Sequence, residues 1–173
     1  MPRRAGVKPR KIEADPVYAN VYVTRLINRS MYEGKKSVAA REIYEAFERV
    51  RKATETDPVA VFMSALDGVR PVMEVRPRRI GGAAYQVPVQ VRGRRQDSLA
   101  IRWLVEGARS RPNSEYHTFG EKMAAEIIDA SKGEGYAIKK KQEVERVAEA
   151  NKAFAHFKLS LIHISEPTRQ AEI

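Results

Sequence analysis

Arginine is concentrated in one short part of this 173-residue chain. Seven arginines lie between residues 70 and 95, where Glu74 is the only acid: Arg70, Arg76, Arg78, Arg79, Arg92, Arg94 and Arg95. A guanidinium group can pair with two phosphate oxygens at once and can stack on a nucleobase. Because an ordinary solvated edge rarely excludes acids so fully, the segment indicates a nucleic-acid-binding surface.

Residue patterns for catalysis or metal binding are not found. The chain has no Cys, so it holds neither a thiolate nucleophile nor a zinc site built from sulfur. His117, His156 and His163 form no H-x-x-x-H or H-E-x-x-H pattern, and no G-x-S-x-G motif occurs. Gly81-Gly82 is not followed by the Lys-Ser or Lys-Thr of a phosphate-binding loop, which favours a turn. We therefore predict no catalytic residues, metal, cofactor or small-molecule substrate.

The charge balance predicts a polyanionic partner. The chain has 32 Lys and Arg residues against 22 Asp and Glu, a formal net charge of +10. It has no apolar run of about 20 residues and no signal peptide, so we expect a cytoplasmic protein that binds no membrane. One alternative is a DNA-binding or nucleoid protein, whose helices and basic ribbon would enter DNA grooves. An RNA-modifying enzyme is another, but it would need a cofactor pocket or an acid–base pair.

Composition divides the chain into an arm, a body and a tail. The first eleven residues, MPRRAGVKPRK, hold five Lys or Arg, two Pro and no acid, which predicts a flexible basic N-terminal arm over residues 1–14. Residues 15–158 are predicted to form a single helical domain, since their number suits one core. Residues 159–173, LSLIHISEPTRQAEI, resemble the translation of a sequencing adapter, so we interpret them as an artefactual tail; a short natural tail is the alternative.

Start signals and apolar periodicity predict three helices before residue 72. Asp15-Pro16 and Asp57-Pro58 each combine an N-cap with a proline suited to the first helical turn. Ser37 can cap the longer helix between them, which is the clearest amphipathic segment. We expect these three helices to pack by their apolar faces.

Between residues 72 and 91 the apolar period changes to two. Val87, Val89 and Val91 alternate with polar residues or proline, and Gly81-Gly82 separates the two halves. This pattern predicts a two-stranded β-hairpin that protrudes from the helices. Proline occurs in both halves, which a ribbon with free edges tolerates because an edge position needs no N–H donor.

Three more helices are predicted after the hairpin, which makes about six in a mainly α domain. The fourth runs from Ser98 to about Arg109. The fifth begins at Thr118, which has capping-box spacing to a following Glu, and the sixth spans residues 136 to about 155. The sixth helix has only a narrow apolar stripe, so we expect it to pack at the edge of the domain.

Aromatic and lysine residues offer further candidates for RNA contact. Tyr85 and Trp103 can stack on bases, but the apolar neighbours of Trp103 favour a position in the core. The lysine pair at 35–36 and the lysine run at 139–141 fit either RNA contact or ordinary solvated faces. Both interpretations stay open for the lysines.

Segments along most of the chain are specific to one family. MPRR is followed in order by DPVY, LINRSM, GKKSVA, PVMEVRPRRIGGAAYQVPVQV, LAIRWLVEGAR, AAEIIDA and AEANKAFAHFK. Together they resemble the bacterial small-subunit (30S) ribosomal protein seven family over nearly all of residues 1–158. Residues 111–119 are longer and more irregular than the family pattern. The chain also departs from the pattern after Lys158, where the family normally ends with an aromatic residue.

The resemblance implies a fold of about six helices with a protruding hairpin and a structural role in the small ribosomal subunit. It implies direct binding to the 3′ major domain of the small-subunit ribosomal RNA, nucleation of head assembly, and a position near the exit-site transfer RNA and messenger RNA. It further implies contacts with small-subunit ribosomal proteins nine and eleven.

The candidate RNA-binding residues combine positions implied by the resemblance with other basic positions. By resemblance, Arg76, Arg78 and Arg79 on the hairpin also lie near the exit-site transfer RNA and messenger RNA. The expected mechanism is phosphate neutralisation with counterion release, together with recognition of folded RNA by its shape. The complete set is Arg3, Arg4, Lys8, Arg10, Lys11, Lys35, Lys36, Arg76, Arg78, Arg79, Arg92, Arg94, Arg95, Arg102 and Arg109.

Overall fold

The structure is a computed structural model that describes residues 11–158. Most of the predicted basic arm and the whole predicted artefactual tail lie outside these residues. The described part of the chain contains six α-helices, one 3₁₀ helix and a single β-hairpin. The predicted mainly α fold with a two-stranded hairpin is therefore confirmed.

The elements follow one another along the chain with short connections. Helices α1, α2 and α3 precede the hairpin of β1 and β2, and helices α4, α5 and α6 follow it before a C-terminal 3₁₀ helix. Their bounds are α1 Val21–Ser30, α2 Lys36–Thr54, α3 Pro58–Val69, β1 Met73–Ile80, β2 Ala83–Gln90, α4 Arg94–Ser110, α5 Phe119–Ser131, α6 Gly135–Ala150 and the 3₁₀ helix Lys152–Lys158.

The predicted start of the first helix at Asp15-Pro16 is wrong. The Asp15 carboxylate accepts hydrogen bonds from the backbone N–H groups of Val17 and Tyr18, both at 3.1 Å, and so forms a separate turn. Ala19, with φ of 49°, then interrupts the chain, and Asn20 caps α1 through the N–H of residue 22. An aspartate followed by proline signals a turn as well as a helix start, and here the turn is formed.

The later start signals have mixed outcomes. Asp57 caps α3 as predicted, and Thr118 forms a complete capping box with Glu121 at the start of α5. Ser37 is not a cap, because α2 begins at Lys36 and has no side-chain cap. Helix α4 begins at Arg94, four residues before the predicted start, and α6 ends at residue 150 and is followed by the 3₁₀ helix.

The hairpin is antiparallel, with Arg76 opposite Val87 and Arg78 opposite Tyr85. Residues directly opposite each other share one face of the ribbon. That face packs against α6 and the 3₁₀ helix, and it buries Val87 and Glu74. The other face and the turn at Gly81-Gly82 are more exposed, so the hairpin extends from the helical body with one face covered.

The core is formed around α5, which packs against α2, α3 and α4. Phe47 and Phe62 are fully buried, with ring centroids 5.6 Å apart. Trp103 is 5% exposed, so its predicted place in the core is confirmed. Side chains in such a core are close-packed, so the helical body is a firm support for the charged residues on its surface.

Candidate nucleic-acid interface

The single acid of the arginine-rich segment, Glu74, holds two of its arginines. Its side chain is 9% exposed, and its two oxygens lie 2.6 Å from Arg76 Nη2 and 3.2 Å from Arg95 Nη2. Arg76 follows it in β1, whereas Arg95 is in the first turn of α4. Glu74 therefore joins the base of the hairpin to α4 and orients two guanidinium groups that stay about half exposed.

The strand register separates the hairpin arginines that the sequence grouped together. Arg76 and Arg78 lie on the face that packs against the 3₁₀ helix, and Arg78 Nη1 donates to the Phe157 carbonyl at 3.4 Å. Arg79 lies on the opposite face because successive strand residues alternate. Its side chain is exposed and forms no hydrogen bond or ion pair with the described residues 11–158.

Tyr85, a candidate for base stacking, has aromatic partners within the protein. Its ring centroid lies 5.4 Å from that of Phe154 and 5.1 Å from that of Phe157. The ring is half-buried in this cluster on the covered face of the hairpin. The structure therefore gives Tyr85 a packing role, which explains an aromatic residue at this position without RNA.

Three exposed arginines lie where the hairpin meets α4. Gly93, with φ of 54°, turns the chain between Arg92 and Arg94, so that Arg94 and Arg95 begin the helix. Arg92 Nε donates to Gln90 at 2.9 Å, and the side chain of Arg94 forms no hydrogen bond or ion pair with the residues that the structure describes. The N-terminal end of a helix also favours anions, so this corner suits a phosphate.

A cleft between α1 and α4 adds two arginines that the sequence reasoning missed. Arg25, Arg29 and Arg94 line this cleft of about 310 Å³ together with small polar and apolar side chains, and none of its lining residues is acidic. Arg25 and Arg29 are four residues apart and so share a helix face, a signal that the sequence contained. Arg25 is tied to Asp97 at 2.9 Å, while Arg29 is exposed.

Asp97 connects this cleft to the rest of the arginine-rich segment. Its second oxygen lies 2.8 Å from Arg70 Nη2, and both Arg25 and Arg70 approach the ring of Tyr22 at 5.2 and 5.5 Å. Arg70 is mostly buried in this network, which gives it a structural role. Not every arginine between residues 70 and 95 is therefore available to RNA.

The remaining predicted site residues are dispersed. Lys11, Lys36 and Arg109 are exposed, and Lys35 is exposed but paired with Glu33 at 2.7 Å. Arg102 is half-buried, and its Nε is buried without a hydrogen-bond partner in the described part of the chain. Arg3, Arg4, Lys8 and Arg10 lie outside the described residues.

Other charged side chains hold the body together. Arg111 joins the buried Glu126 at 2.8 Å and also pairs with Asp129. Burial lowers the pKa of Arg111, but its hydrogen bonds to these two carboxylates outweigh burial and raise the pKa overall. In the lysine run, Lys141 donates to the Gly68 carbonyl at 2.8 Å, and Lys140 pairs with a neighbouring Glu. A structural or solvated role therefore explains these two lysines.

The described residues contain no group of three or more His, Asp or Glu that could hold a metal ion. Within the same range, residues 11–158, no helix is long and apolar enough to cross a membrane.

A rigid helical body that presents exposed arginines on a hairpin, a helix start and a cleft defines the class of basic nucleic-acid-binding proteins. The family model of ribosomal protein S7p/S5e matches residues 2–152. The chain therefore belongs to the ribosomal protein S7p/S5e family, as its sequence segments predicted.

Known proteins of the small ribosomal subunit are similar to this chain over most of its length. Small ribosomal subunit protein uS7 of Caldicellulosiruptor saccharolyticus is 53% identical over 158 residues, which are 91% of this chain and 99% of that protein. The proteins of the same name from Carboxydothermus hydrogenoformans and from a Sulfurihydrogenibium species are 52% and 49% identical over the same shares.

Membership of this family makes the chain a structural, non-enzymatic component of the small ribosomal subunit, associated with its RNA. The bacterial ribosome is cytoplasmic, in agreement with the expected location. The predictions of a ribosomal role and of no enzymatic activity are confirmed by the family, which also favours them over a nucleoid protein or an RNA-modifying enzyme.

Proposed function

We propose that this protein binds the 3′ major domain of the small-subunit ribosomal RNA directly and nucleates assembly of the subunit head. The observation that carries the proposal is the set of exposed arginines at the junction of the hairpin, α1 and α4. Arg92, Arg94 and Arg95 surround the start of α4, and Arg29 lies across the cleft from Arg94. These four positive charges therefore lie close together on the surface of the close-packed helical body.

Phosphate neutralisation supplies the binding energy in this proposal. Each guanidinium that meets a phosphate releases condensed counterions, so affinity falls as salt rises. Glu74 and Asp97 fix Arg95 and Arg25 in place while leaving part of each guanidinium exposed. Pre-ordered arginines lose less side-chain entropy on binding than free ones, so the rigid geometry also selects an RNA of matching shape.

We also assign the basic residues near the chain start to this surface. Arg3, Arg4, Lys8 and Arg10 precede Lys11, which is the first described residue and is exposed. Ile12, the next residue, lines the cleft between α1 and α4 together with Arg29 and Arg94. Residue 12 of the predicted arm therefore adjoins the arginine cleft, and we include the cations of residues 1–11 in the proposed RNA-binding surface.

The hairpin is assigned to the exit-site transfer RNA and messenger RNA, as the family resemblance implies. The alternation of Arg78 and Arg79 lets the tip present positive charge on both faces. Small-subunit ribosomal proteins nine and eleven are proposed as the protein neighbours on the same ground of resemblance. These contacts are expected to form only in the assembled subunit.

Binding of the full chain to the isolated 3′ domain of small-subunit ribosomal RNA tests the proposal. Affinity is measured across a salt series, with duplex DNA and unrelated folded RNA as competitors. We expect tight binding that both competitors fail to displace, with log K falling linearly as log salt rises. Equal displacement by every polyanion would contradict the proposal, because it would leave only non-specific charge attraction.

A further inference from the structure

Tyr32 and Arg109 form an exposed stacked pair beside the loop between α1 and α2. The guanidinium carbon of Arg109 lies 4.0 Å from the centroid of the Tyr32 ring, and Tyr32 is 65% exposed. A ring with one face covered by a guanidinium and with so large an exposed fraction has its other face open. An open aromatic face backed by a cation is a surface on which a second planar group can stack.

Both members of this pair are held in position before any ligand arrives. Arg109 Nη2 donates to the Ser30 carbonyl at 3.1 Å. The Tyr32 carbonyl accepts from the N–H of Lys35 at 2.9 Å, which closes a tight turn through Glu33 and Gly34, both with positive φ. Since the guanidinium and the backbone that carries the ring are already held, a ligand that stacks there loses less binding energy to ordering the protein.

The surroundings of the pair favour a planar ligand that carries negative charge nearby. Tyr32, Arg109 and Lys35 line one cleft of about 490 Å³, whose walls include the apolar side chains of Val38 and Phe119. Lys35 immediately precedes α2, whose first turn has no acid and no side-chain cap. That helix end and Lys35 are suited to a phosphate.

The acids near this cleft already have partners. Glu42, which also lines the cleft, accepts the N–H of Gly120 at 3.1 Å, and Glu33 pairs with Lys35 at 2.7 Å. A polyanion that approaches Tyr32 therefore meets Arg109, which forms no ion pair with the described residues 11–158, and the exposed ammonium group of Lys35. An apolar protein segment on the same ring would instead remove the Arg109 charge from water without a counter-charge, which is unfavourable.

We propose that Tyr32 and Arg109 form a stacking platform for one unpaired nucleobase of the ribosomal RNA, with the adjoining phosphate held by Lys35 in the same cleft. This inference rests on the proposed ribosomal-RNA binding and names the kind of nucleotide that this part of the surface takes. Single unpaired bases are the elements of RNA that proteins recognise by stacking on aromatic and arginine side chains.

The test compares Tyr32→Leu with Tyr32→Phe in the full chain, by binding to the 3′ domain RNA across a salt series. Leucine keeps the apolar bulk but removes the ring, so we expect roughly tenfold weaker binding, the size typical of one lost base stack. Phenylalanine keeps the ring and should bind like the unchanged protein. The salt slope should stay the same in both variants, because neither removes a phosphate contact.

Lys35→Ala supplies the complementary measurement. This variant should lower the salt slope by up to about one, because it removes one phosphate contact. Thermal unfolding of each variant checks that the fold is retained, which is expected at an exposed site. Ultraviolet crosslinking with mass spectrometry should also join Tyr32 to a single unpaired nucleotide.

Other outcomes separate the two proposals. If the unchanged protein binds the RNA specifically and Tyr32→Leu binds equally well, the platform is overturned while the proposed function stands. Equal RNA affinity with lost incorporation of another small-subunit protein would show that Tyr32 contacts protein, which also overturns the platform. If the unchanged protein shows no specific binding, the proposed function itself fails.

Discussion

A methyl group added at Gly107 would lie 2.5 Å from Oε1 of Glu126. Glu126 is 1% exposed, and that same oxygen accepts the N–H of Ala137 at 3.0 Å while the other accepts from Arg111 Nη2 at 2.8 Å. The glycine in α4 thus lets one buried carboxylate from α5 reach the start of α6 and the end of α4. Three helices meet around this single side chain.

Gly107→Ala is expected to lower the free energy of unfolding by about 2 kcal/mol, because the methyl group must displace a carboxylate that two partners hold. Urea unfolding followed by circular dichroism measures the change. Gly68→Ala is the matched control within α3, where a methyl group meets its nearest atoms at 3.5 and 3.6 Å. That variant should be neutral or up to about 1 kcal/mol more stable, since alanine favours the helix. Equal destabilisation of both variants would contradict the role of Glu126.

Thr118→Ala should cost about 1 kcal/mol of stability through loss of the cap of α5. The Thr118 hydroxyl accepts the N–H of Glu121 at 3.2 Å, and the Glu121 carboxylate accepts the N–H of Thr118 at the same distance. Ser37→Ala provides the comparison, because Ser37 lies in the first turn of α2 without a capping bond. The unfolding midpoint of Ser37→Ala should stay unchanged. A loss of stability as large as that of Thr118→Ala would show that the Ser37 hydroxyl does cap α2.

Tyr44 is predicted to make stability depend on alkaline pH. Burial, with its hydrogen bond to Asp15 at 2.8 Å, raises the pKa of Tyr44 to about 12 from its usual value of about 10. A raised pKa means that the tyrosine stabilises the fold fully below pH of about 10 and loses this contribution as pH rises toward about 12. Tyr44→Phe should therefore be less stable by about 1 kcal/mol at pH of about 8.

Paired urea unfolding curves at pH values of about 8 and 11 measure this dependence. The difference between the unchanged protein and Tyr44→Phe should shrink at the higher pH, because ionisation of the phenol weakens its bond to the Asp15 carboxylate. A difference that grows with pH would show that the phenolate is the favoured form. The result would then contradict the assigned hydrogen bond.

Replacement of Arg78 and Arg79 together by alanine should reduce retention of exit-site transfer RNA more than binding to the 3′ domain RNA. The pair lies on the exposed outer part of the hairpin, away from the arginines at the start of α4. Reconstituted subunits with labelled transfer RNA measure retention, and filter binding measures RNA affinity. Replacement of Arg51 and Lys52 by alanine is the matched control. These two exposed basic residues lie on α2, so the control removes the same charge from a different surface. If the double variant at Arg78 and Arg79 lost transfer-RNA retention and 3′ domain RNA binding to the same extent, the result would contradict separate roles for the hairpin and the start of α4.

Local sequence signals predicted the elements well where the interacting residues are neighbours in the chain. The cap at Asp57, the capping box at Thr118 and the hairpin around Gly81-Gly82 each depend on residues a few positions apart. The same kind of signal gave a wrong result at Asp15, where turn and helix start compete for one carboxylate. Ser37 also misled, because the preceding loop continues directly into α2.

The sequence by itself determined the excess of positive charge, the mainly helical fold with its hairpin, and membership of the ribosomal family. The tertiary structure decided which arginines are available to RNA. Glu74 holds Arg95 across the hairpin base, and Arg109 covers one face of Tyr32, although each pair is far apart in the chain. A charge is visible in the sequence, but its partner is set by how helices and strands pack, because packing brings distant side chains within bonding distance.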